Sequence, residues 1–418
     1  MSKIAMVAYT NYGRDPRVRR EAEALVEAGH DVQFLARRQP GDTPQEIISG
    51  VVVRRFGGIS HGRRSKLGYI LEYVLFFFHA MAYLTLRAGR FDLVHVNNMP
   101  DFLVFAAWLP RLIGKPVIHD VHDLMPELYE EKFAARGNTF IRRILLVQER
   151  LAGNFASAVL TVEDRLKDIL ARRGIPRDRI SVLMNLPDER FFSPRPETPL
   201  ASHGARFVLV YHGTLARRLG LDVAIRAVHR AKSEIPEIEL RIIGAGEELA
   251  NLRGLVDELD LSSSVSFSGS FVRIEDIPSM IQDADVGVIP LRVSSGTSIM
   301  LPTKLLEYVS VGIPCIVPRT TTIARYFSDD MVEFFEADDV ESLARAITTL
   351  YRDPARRLEL ARQATSKFGE VHRWSRHKRV YTDLVARLLA GASDAARPGR
   401  LPVPGDSKTA PPREKDAP

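Results

Sequence analysis

Short apolar runs recur along this chain, each ending in a polar loop and followed by a stretch with helical spacing. Ile4 to Ala8 comes first, before Tyr9-Thr10-Asn11. Residues 17–28 then have helical character and stop at Gly29, which suits a helix C-cap. Asp31 to Ala36 alternates like a strand, and Val51–Val53, Leu93–Val96 and Val117–Ile118 are further strands. Such strand–helix–strand alternation predicts a parallel sheet covered on both faces. The rhythm breaks at Asn185–Asp188 and at Ser193–Pro196, with Pro199 beyond, a density of proline that neither a helix nor a central strand tolerates. It resumes at Phe207–Tyr211 and continues through Leu240–Ile243, Val265–Phe267, Val286–Ile289 and Cys315–Val317.

Two α/β halves therefore flank a linker. The first is expected over 1–190 and the second over 207–365, with a helix at 366–390 packing back toward the first half. Residues 391–418 hold six prolines and no aromatic residue and read as a disordered tail. Two such halves leave a cleft between the carboxyl ends of their sheets, where ligands bind.

Composition narrows the class. The 418 residues are 45% hydrophobic and 26% charged, which excludes a disordered chain, a collagen and a polytopic membrane protein. A net charge of +6 permits an anionic partner. The basic residues are dispersed and not interleaved with aromatic ones, so nucleic acid is not expected. The single cysteine, Cys315, lies in an apolar run and reads as an inert core thiol. No Cys/His group has metal-ligand spacing, so no metal is expected. The first apolar run is too short for a signal peptide, and a cytoplasmic location follows as the expectation.

Leu67 to Leu86 is about long enough to span a bilayer. Leu67, Ile70, Leu71, Val74, Phe78 and Met81 follow helical spacing, while Glu72, Phe76, His79 and Tyr83 form a mixed stripe opposite. Arg63, Arg64 and Lys66 flank one end, Arg87 and Arg90 the other. A buried helix, a helix lying on an anionic membrane and a true span are all compatible with this pattern.

Five loops after strands could carry chemistry. Asn11 to Arg20 opens a helix, whose N-terminus attracts anions, and Gly13 permits close backbone approach. His119-Asp120-Val121-His122 alternates in direction, which splits the two histidines and argues against one shared ion; His122 is the cleft candidate. Tyr211 to Gly220 repeats the pattern of Gly213 followed by the basic pair Arg217-Arg218, and Arg218 suits a diphosphate. Gly244-Ala245-Gly246 forms a tight turn but lacks the third glycine of a dinucleotide fingerprint, since Leu249 stands there. Ser294 to Tyr308 carries Pro302 at a helix start, Lys304 to pair with a phosphate and Glu307 to accept ribose hydroxyls.

Taken in order along residues 3–390, these segments resemble a retaining glycosyltransferase of the GT-B class, glycosyltransferase family four (group 1). Asp15–Ala22 followed by Ala28–Val32 resembles the family's opening helix and second strand. Phe91–Val96 and Lys115–Ile118 resemble its acceptor-domain core, and Val182–Asn185 the segment leading out of it. Leu305–Tyr308 through Gly312–Pro314 resembles its donor-site helix. The resemblance implies two Rossmann-like parallel-sheet domains facing a central cleft. The second would bind a nucleotide-diphosphate sugar, UDP- or GDP-linked, and the first a glycan or polyprenyl-linked acceptor. His122 matches the histidine that contacts the transferred sugar; Arg218 and Lys304 match positions near the diphosphate. Glu307 matches the ribose carboxylate and Gly13 the glycine loop facing the diphosphate. Gly213, Gly244 and Gly246 complete the donor-site expectation.

One position departs from the family pattern. Eight residues before Glu307, where a second glutamate often contacts the sugar ring, stands Ile299. A role in cell-surface polysaccharide synthesis, with peripheral contact at the inner face of the cell membrane, is the expected setting, and neither cofactor nor metal is required. A nucleotide-sugar epimerase of the same class and a non-catalytic nucleotide-binding protein remain the alternatives.

Overall fold

The computed structural model describes residues 1–57, 66–133, 139–194 and 206–395. Arg63, Arg64, Pro196, Pro199 and residues 396–418 lie outside the described residues, as do the side chains of Lys66, Leu67 and Ile70.

Fourteen strands, among the described residues, form two sheets. The first contains β1 (Lys3–Val7), β2 (Asp31–Arg37), β3 (Gln45–Ile48), β4 (Val51–Phe56), β5 (Leu93–Asn97), β6 (Val117–Val121), β7 (Ala158–Thr161) and β8 (Ile180–Val182). Their order is β3-β4-β2-β1-β5-β6-β7-β8. Only β3 runs antiparallel, as a hairpin with β4. The second sheet contains β9 (Phe207–His212), β10 (Ile238–Ile243), β11 (Val265–Phe267), β12 (Val286–Val288), β13 (Cys315–Pro318) and β14 (Glu333–Phe335), in the order β11-β10-β9-β12-β13-β14. All its pairings are parallel. This is the GT-B arrangement of two Rossmann-like domains.

Strands covered on both faces read as unbroken apolar runs. In β1, Ile4 and Met6 pack into one core while Ala5 and Val7 pack into another on the opposite face. Strand order reverses between β1 and β5 and again between β9 and β12, and the carboxyl ends beside those reversals open a crevice for a ligand.

In the helix Lys66–Leu86, Glu72, Phe76 and Tyr83 of the mixed stripe are buried on the side of the first sheet while His79 is exposed, and Met81 of the apolar stripe packs against the same core. Phe76, Ala80, Tyr83 and Leu84 are buried against Ala5 and Val7. Glu72 joins them because it has partners: Tyr9 Oη donates to it at 2.5 Å, and Arg37 Nη2 stands 4.0 Å away. Leu71 and Phe78, from the apolar stripe, are 47% and 53% exposed. Among the described residues no helix is long and apolar enough to cross a membrane.

A last helix, Trp374–Ala395, crosses from the second domain to the first. Its final turn includes 391–395, the start of the stretch read as tail, where Ala392 and Ala395 suit a helix. Tyr381 Oη meets His95 Nδ1 at 2.7 Å, both residues fully buried. The Arg20 guanidinium lies 4.4 Å over the Trp374 ring and donates to the Leu186 carbonyl. One hydrophobic cluster runs from Ile4 and Phe34 through Leu186 and Phe192 to Leu305 and Tyr381. Cys315 belongs to it, and burial pushes its thiol pKa far above the ordinary value.

Two histidines are held neutral. Burial lowers His119 to about 4. Burial, aided by the charges of His372 and Arg20, lowers His377 to about 4. Between pH 6.5 and 4 the unfolded chain therefore binds protons at these sites that the folded chain does not, so their contribution to stability falls as pH falls. Buried Asp101 and Glu149, raised to about 6 and about 7 mainly by burial, act oppositely in much of that window. The variant isolates one term: His377→Gln should match wild type in urea unfolding at pH 8 and become the more stable protein as pH drops through 6 toward 4. Parallel pH profiles would contradict the assignment.

Candidate functional site

A cavity of about 570 Å³ opens between the two domains. From the first domain, the turn Tyr12–Arg14 contributes Arg14, the start of the helix Pro16–Glu27 contributes Arg17, Arg19 and Arg20, and the loop directly after β6 contributes His122 and Asp123. From the second come Gly213, Thr214, Arg218, Ile299, Lys304 and Glu307.

The second-domain wall depends on two loops zipped together by backbone. Gly213 N–H donates to Ile243 O at 2.8 Å, Leu215 N–H to Ala245 O at 3.0 Å and Glu248 N–H to Leu215 O at 3.1 Å. Gly213 and Gly244 have φ of 118° and 139°, which favour glycine. A Cβ on Gly244 would overlap the Gly213 carbonyl oxygen, and one on Gly246 the Leu215 carbonyl oxygen. Gly244 and Gly246 thus lie behind the wall; only Gly213 of the three lines the cavity.

Helix Thr303–Val311, entered through Pro302, points its amino end at this wall. Lys304 Nζ donates to Tyr211 Oη at 3.1 Å and lies 4.4 Å over the same ring. One turn later Glu307 Oε2 stands 2.5 Å from His212 Nε2. His212 Nδ1 in turn lies 3.0 Å from Tyr308 Oη, which donates to Val210 O. One Glu307 oxygen is therefore anchored to the sheet through His212. Arg218, 41% exposed, has its Nε 3.5 Å from Glu131 Oε1 of the first domain, so it spans the mouth of the cleft.

Opposite, His122 sits in a buried polar network. Its Nε2 lies 2.9 Å from Asp120 Oδ2, which also meets His95 Nε2 at 3.5 Å and accepts from Asn97 Nδ2 at 2.8 Å. His122 Nδ1 faces Asn185 Nδ2 at 3.4 Å. Burial raises both carboxyl groups of the neighbouring Glu21 and Asp120, but His122 and His95 reverse the effect at Asp120, which ends far below the usual range. Glu21 stays far above it, raised by burial and then by the Asp120 charge. His119 points away, its Nε2 3.9 Å from Asp101, so the two histidines of this strand end are split. Glu21, Asp120 and His122 do place one potential ligand atom each within 4.8 Å of one another.

The helix start gathers four arginines, Arg14, Arg17, Arg19 and Arg20, with Asp15, Glu21 and Glu23 among them. Asp15 caps it and grips Arg17 in two 3.0 Å contacts, and although burial opposes ionisation, Arg17 brings Asp15 down to about 2. Arg19 reaches across to Glu275 of the second domain at 2.7 Å. Arg14 lies over Phe271, also of the second domain. Gly13 does not line the cavity: its N–H is donated to Asn11 Oδ1 at 3.1 Å. Ile299 is 8% exposed and packs with Val121 and Leu124 of the first domain, an apolar contact between the walls.

The structure thus brings His122, Gly213, Arg218, Lys304 and Glu307 to one cavity and leaves Gly13, Gly244 and Gly246 outside its lining. Sequence reasoning missed Glu21, His212 and Glu131, whose partners are remote along the chain. The strand-end position of His212, directly before Gly213, was the available signal.

Residues 13–185 match the glycosyl transferase 4-like domain, and residues 197–367 match glycosyl transferases group 1. An Escherichia coli protein whose name assigns it to colanic acid biosynthesis, the glycosyltransferase WcaL, is 31% identical over 163 residues, covering 38% of either chain. The D-inositol 3-phosphate glycosyltransferase of Pseudarthrobacter chlorophenolicus is 25% identical over 388 residues, 87% of both chains. The chitobiosyldiphosphodolichol beta-mannosyltransferase of Debaryomyces hansenii is 23% identical over 84% of this chain and 79% of its own. Among solved structures, sucrose-phosphate synthase from Thermosynechococcus elongatus superposes with a TM-score of 0.74 at 20% identity, over 94% of this chain and all of the other. Anabaena HepE in complex with UDP and glucose gives 0.68 at 15%, over 93% and 100%.

Gly246→Ala forces the Gly213–Leu215 loop to shift. It should cost about 1–3 kcal/mol in urea unfolding and weaken nucleoside-diphosphate binding in the same protein. Wild-type values for both would show that the two loops are not tightly apposed.

Proposed function

The chain belongs with the GT-B glycosyltransferases of the family-four type, carrying both of their domains, and on that premise we propose that it moves a hexose from a UDP- or GDP-sugar to a glycan or polyprenyl-linked acceptor with retention of anomeric configuration. The observation that carries this reading is the convergence of Lys304, Arg218 and a helix amino end on the Gly213 loop, with a carboxylate one turn further along the same helix.

On this reading the donor lies against the second domain. Glu307, steadied by His212 through one oxygen, accepts ribose hydroxyls with the other. Lys304 and Arg218 stabilise the departing diphosphate, and the positive start of the helix Pro16–Glu27 adds to that field from across the cleft. The reaction is a front-side displacement. The bond from the anomeric carbon to the diphosphate oxygen breaks as the acceptor oxygen attacks the same face, and a diphosphate oxygen takes the acceptor proton. His122, oriented by Asp120, positions the sugar. Cationic side chains take the part that a metal would otherwise play, so none is required. Ile299 cannot hydrogen-bond a sugar hydroxyl, and sugar selection falls to groups on the His122 side. The enzyme works in the cytoplasm, at the inner face of the cell membrane, in cell-surface polysaccharide synthesis. Relatives named for colanic acid biosynthesis and for a diphosphodolichol acceptor support this setting.

Three substitutions test the assignment. Arg218→Ala and Lys304→Ala should each lower kcat by about a hundredfold or more, the usual loss on removing a donor to developing charge. Glu307→Gln should act mainly on donor KM, by roughly tenfold or more, because hydrogen bonds to a charged group contribute about 1.5–3 kcal/mol. Wild-type turnover in Arg218→Ala and Lys304→Ala would remove the diphosphate site, and an unchanged donor KM in Glu307→Gln would remove the ribose contact.

A further inference from the structure

The helix Thr139–Phe155 presents an apolar stripe to solvent. Phe140, Ile144, Val147 and Leu151 follow the i, i+4, i+7, i+11 spacing of a single helical face, and they are 67%, 48%, 57% and 56% exposed. The stripe is about 16 Å long. Its opposite face is occupied: Glu149 is buried in contact with Arg173, and Ala152 and Gly153 are buried against the domain.

The neighbouring segment extends the same surface. Arg111 Nε donates to Phe155 O at 3.1 Å, tying the short helix Trp108–Leu112 to the end of the longer one. Trp108 and Leu112 of that short helix are 44% and 73% exposed. Contiguous exposed apolar surface of this kind marks an interaction site rather than ordinary solvent contact.

Charge identifies the partner. The only acidic residue of the helix Thr139–Phe155 is the buried Glu149, and the helix Trp108–Leu112 has none. The charged side chains these two helices expose are arginines: Arg143, Arg150 and Arg111. A second copy of the chain meeting this face about a two-fold axis would set the same cations against each other. An aromatic and aliphatic stripe on two helices whose exposed charges are arginines instead matches a bilayer surface rich in anionic lipid, with the helix lying in the interface plane. We infer that the face built by Thr139–Phe155 and Trp108–Leu112 docks on anionic membrane.

The helix Thr139–Phe155 starts beside the cleft, where Arg142 pairs with Glu130 of the helix Met125–Phe133, whose Glu127 lines the cavity. A docked face would thus hold the cleft mouth near the lipid surface, which deepens the reading of a polyprenyl-linked acceptor. Vesicle binding is measured without donor or acceptor, so this inference and that reading can fail separately.

The test is co-sedimentation of the full chain with phosphatidylcholine vesicles, with and without phosphatidylglycerol. Wild type should pellet with the anionic vesicles at least about tenfold more strongly than with the neutral ones, since each arginine at the surface contributes roughly a fivefold factor. The double substitution Ile144→Ser and Leu151→Ser should abolish most of that binding, and Arg143→Glu should weaken it by about fivefold or more. All these side chains are exposed, so each variant should keep the wild-type melting temperature, and a variant that does not is replaced by Val147→Ser. Equal binding to both vesicle types, wild-type binding by the serine variant, or a dimer in light scattering that leaves vesicles unbound would overturn the inference.

Discussion

Trp374 and Tyr381, both on the helix that returns from the second domain, bury themselves against the first, and the geometry of the cleft follows from that crossing. Arg20 lies between the Trp374 ring and the Leu186 carbonyl, and Tyr381 reaches His95 at the edge of the polar network that holds His122. A guanidinium shut away from water costs stability unless partners meet it, and here Nη1 donates to the Leu186 carbonyl while the flat face lies over the Trp374 ring. The same contacts fix which carboxyl ends of the two sheets face each other. Lys304 and Glu307 consequently stand opposite His122 rather than opposite a bare helix face.

Charge is arranged to suit an anion in that space. The helix that starts at Pro16 would be weakened by four arginines near its amino end if they were uncompensated. Asp15, Glu23 and Glu275 compensate Arg17 and Arg19, while Arg14 relies on the ring of Phe271. On the far wall the backbone does the shaping, because Gly244 and Gly246 let one loop lie directly on another and leave the surface in front to Gly213 and Lys304. Behind the first-domain wall, burial raises Glu21 far above the usual carboxylate range, while at Asp120 the effect of burial is outweighed by His122 and His95, which hold it far below.

The architecture was legible because parallel strands buried on both faces leave nearly continuous apolar runs, as β1, β9 and β13 do. The edge strand β3 was not, since its residues are largely exposed and carry no such run. Nor was the orientation of the helix Lys66–Leu86, where Glu72 is drawn inward by Tyr9 and Arg37, partners more than thirty residues away along the chain. Lys304 and Glu307 could be recognised from one helix. The pairing of Glu307 with His212 could not, because it depends on sheet order and not on spacing. Gly13 had the look of an anion loop, yet Asn11 already takes its N–H, a local competition that residue type does not reveal. The stripe from Phe140 to Leu151 would pass for a core face by periodicity alone; only the packing of Glu149, Ala152 and Gly153 shows which side is covered.

The central claim is that the Gly213 loop, Lys304 and Glu307 form a nucleoside-diphosphate site that works without a metal. Calorimetric titration of the full chain with UDP, GDP and ADP, each with and without EDTA, tests it most directly. The account predicts saturable one-to-one binding of UDP or GDP, with an affinity that EDTA leaves unchanged. Binding of none of the three nucleotides by the folded protein, or binding that EDTA abolishes, would contradict it.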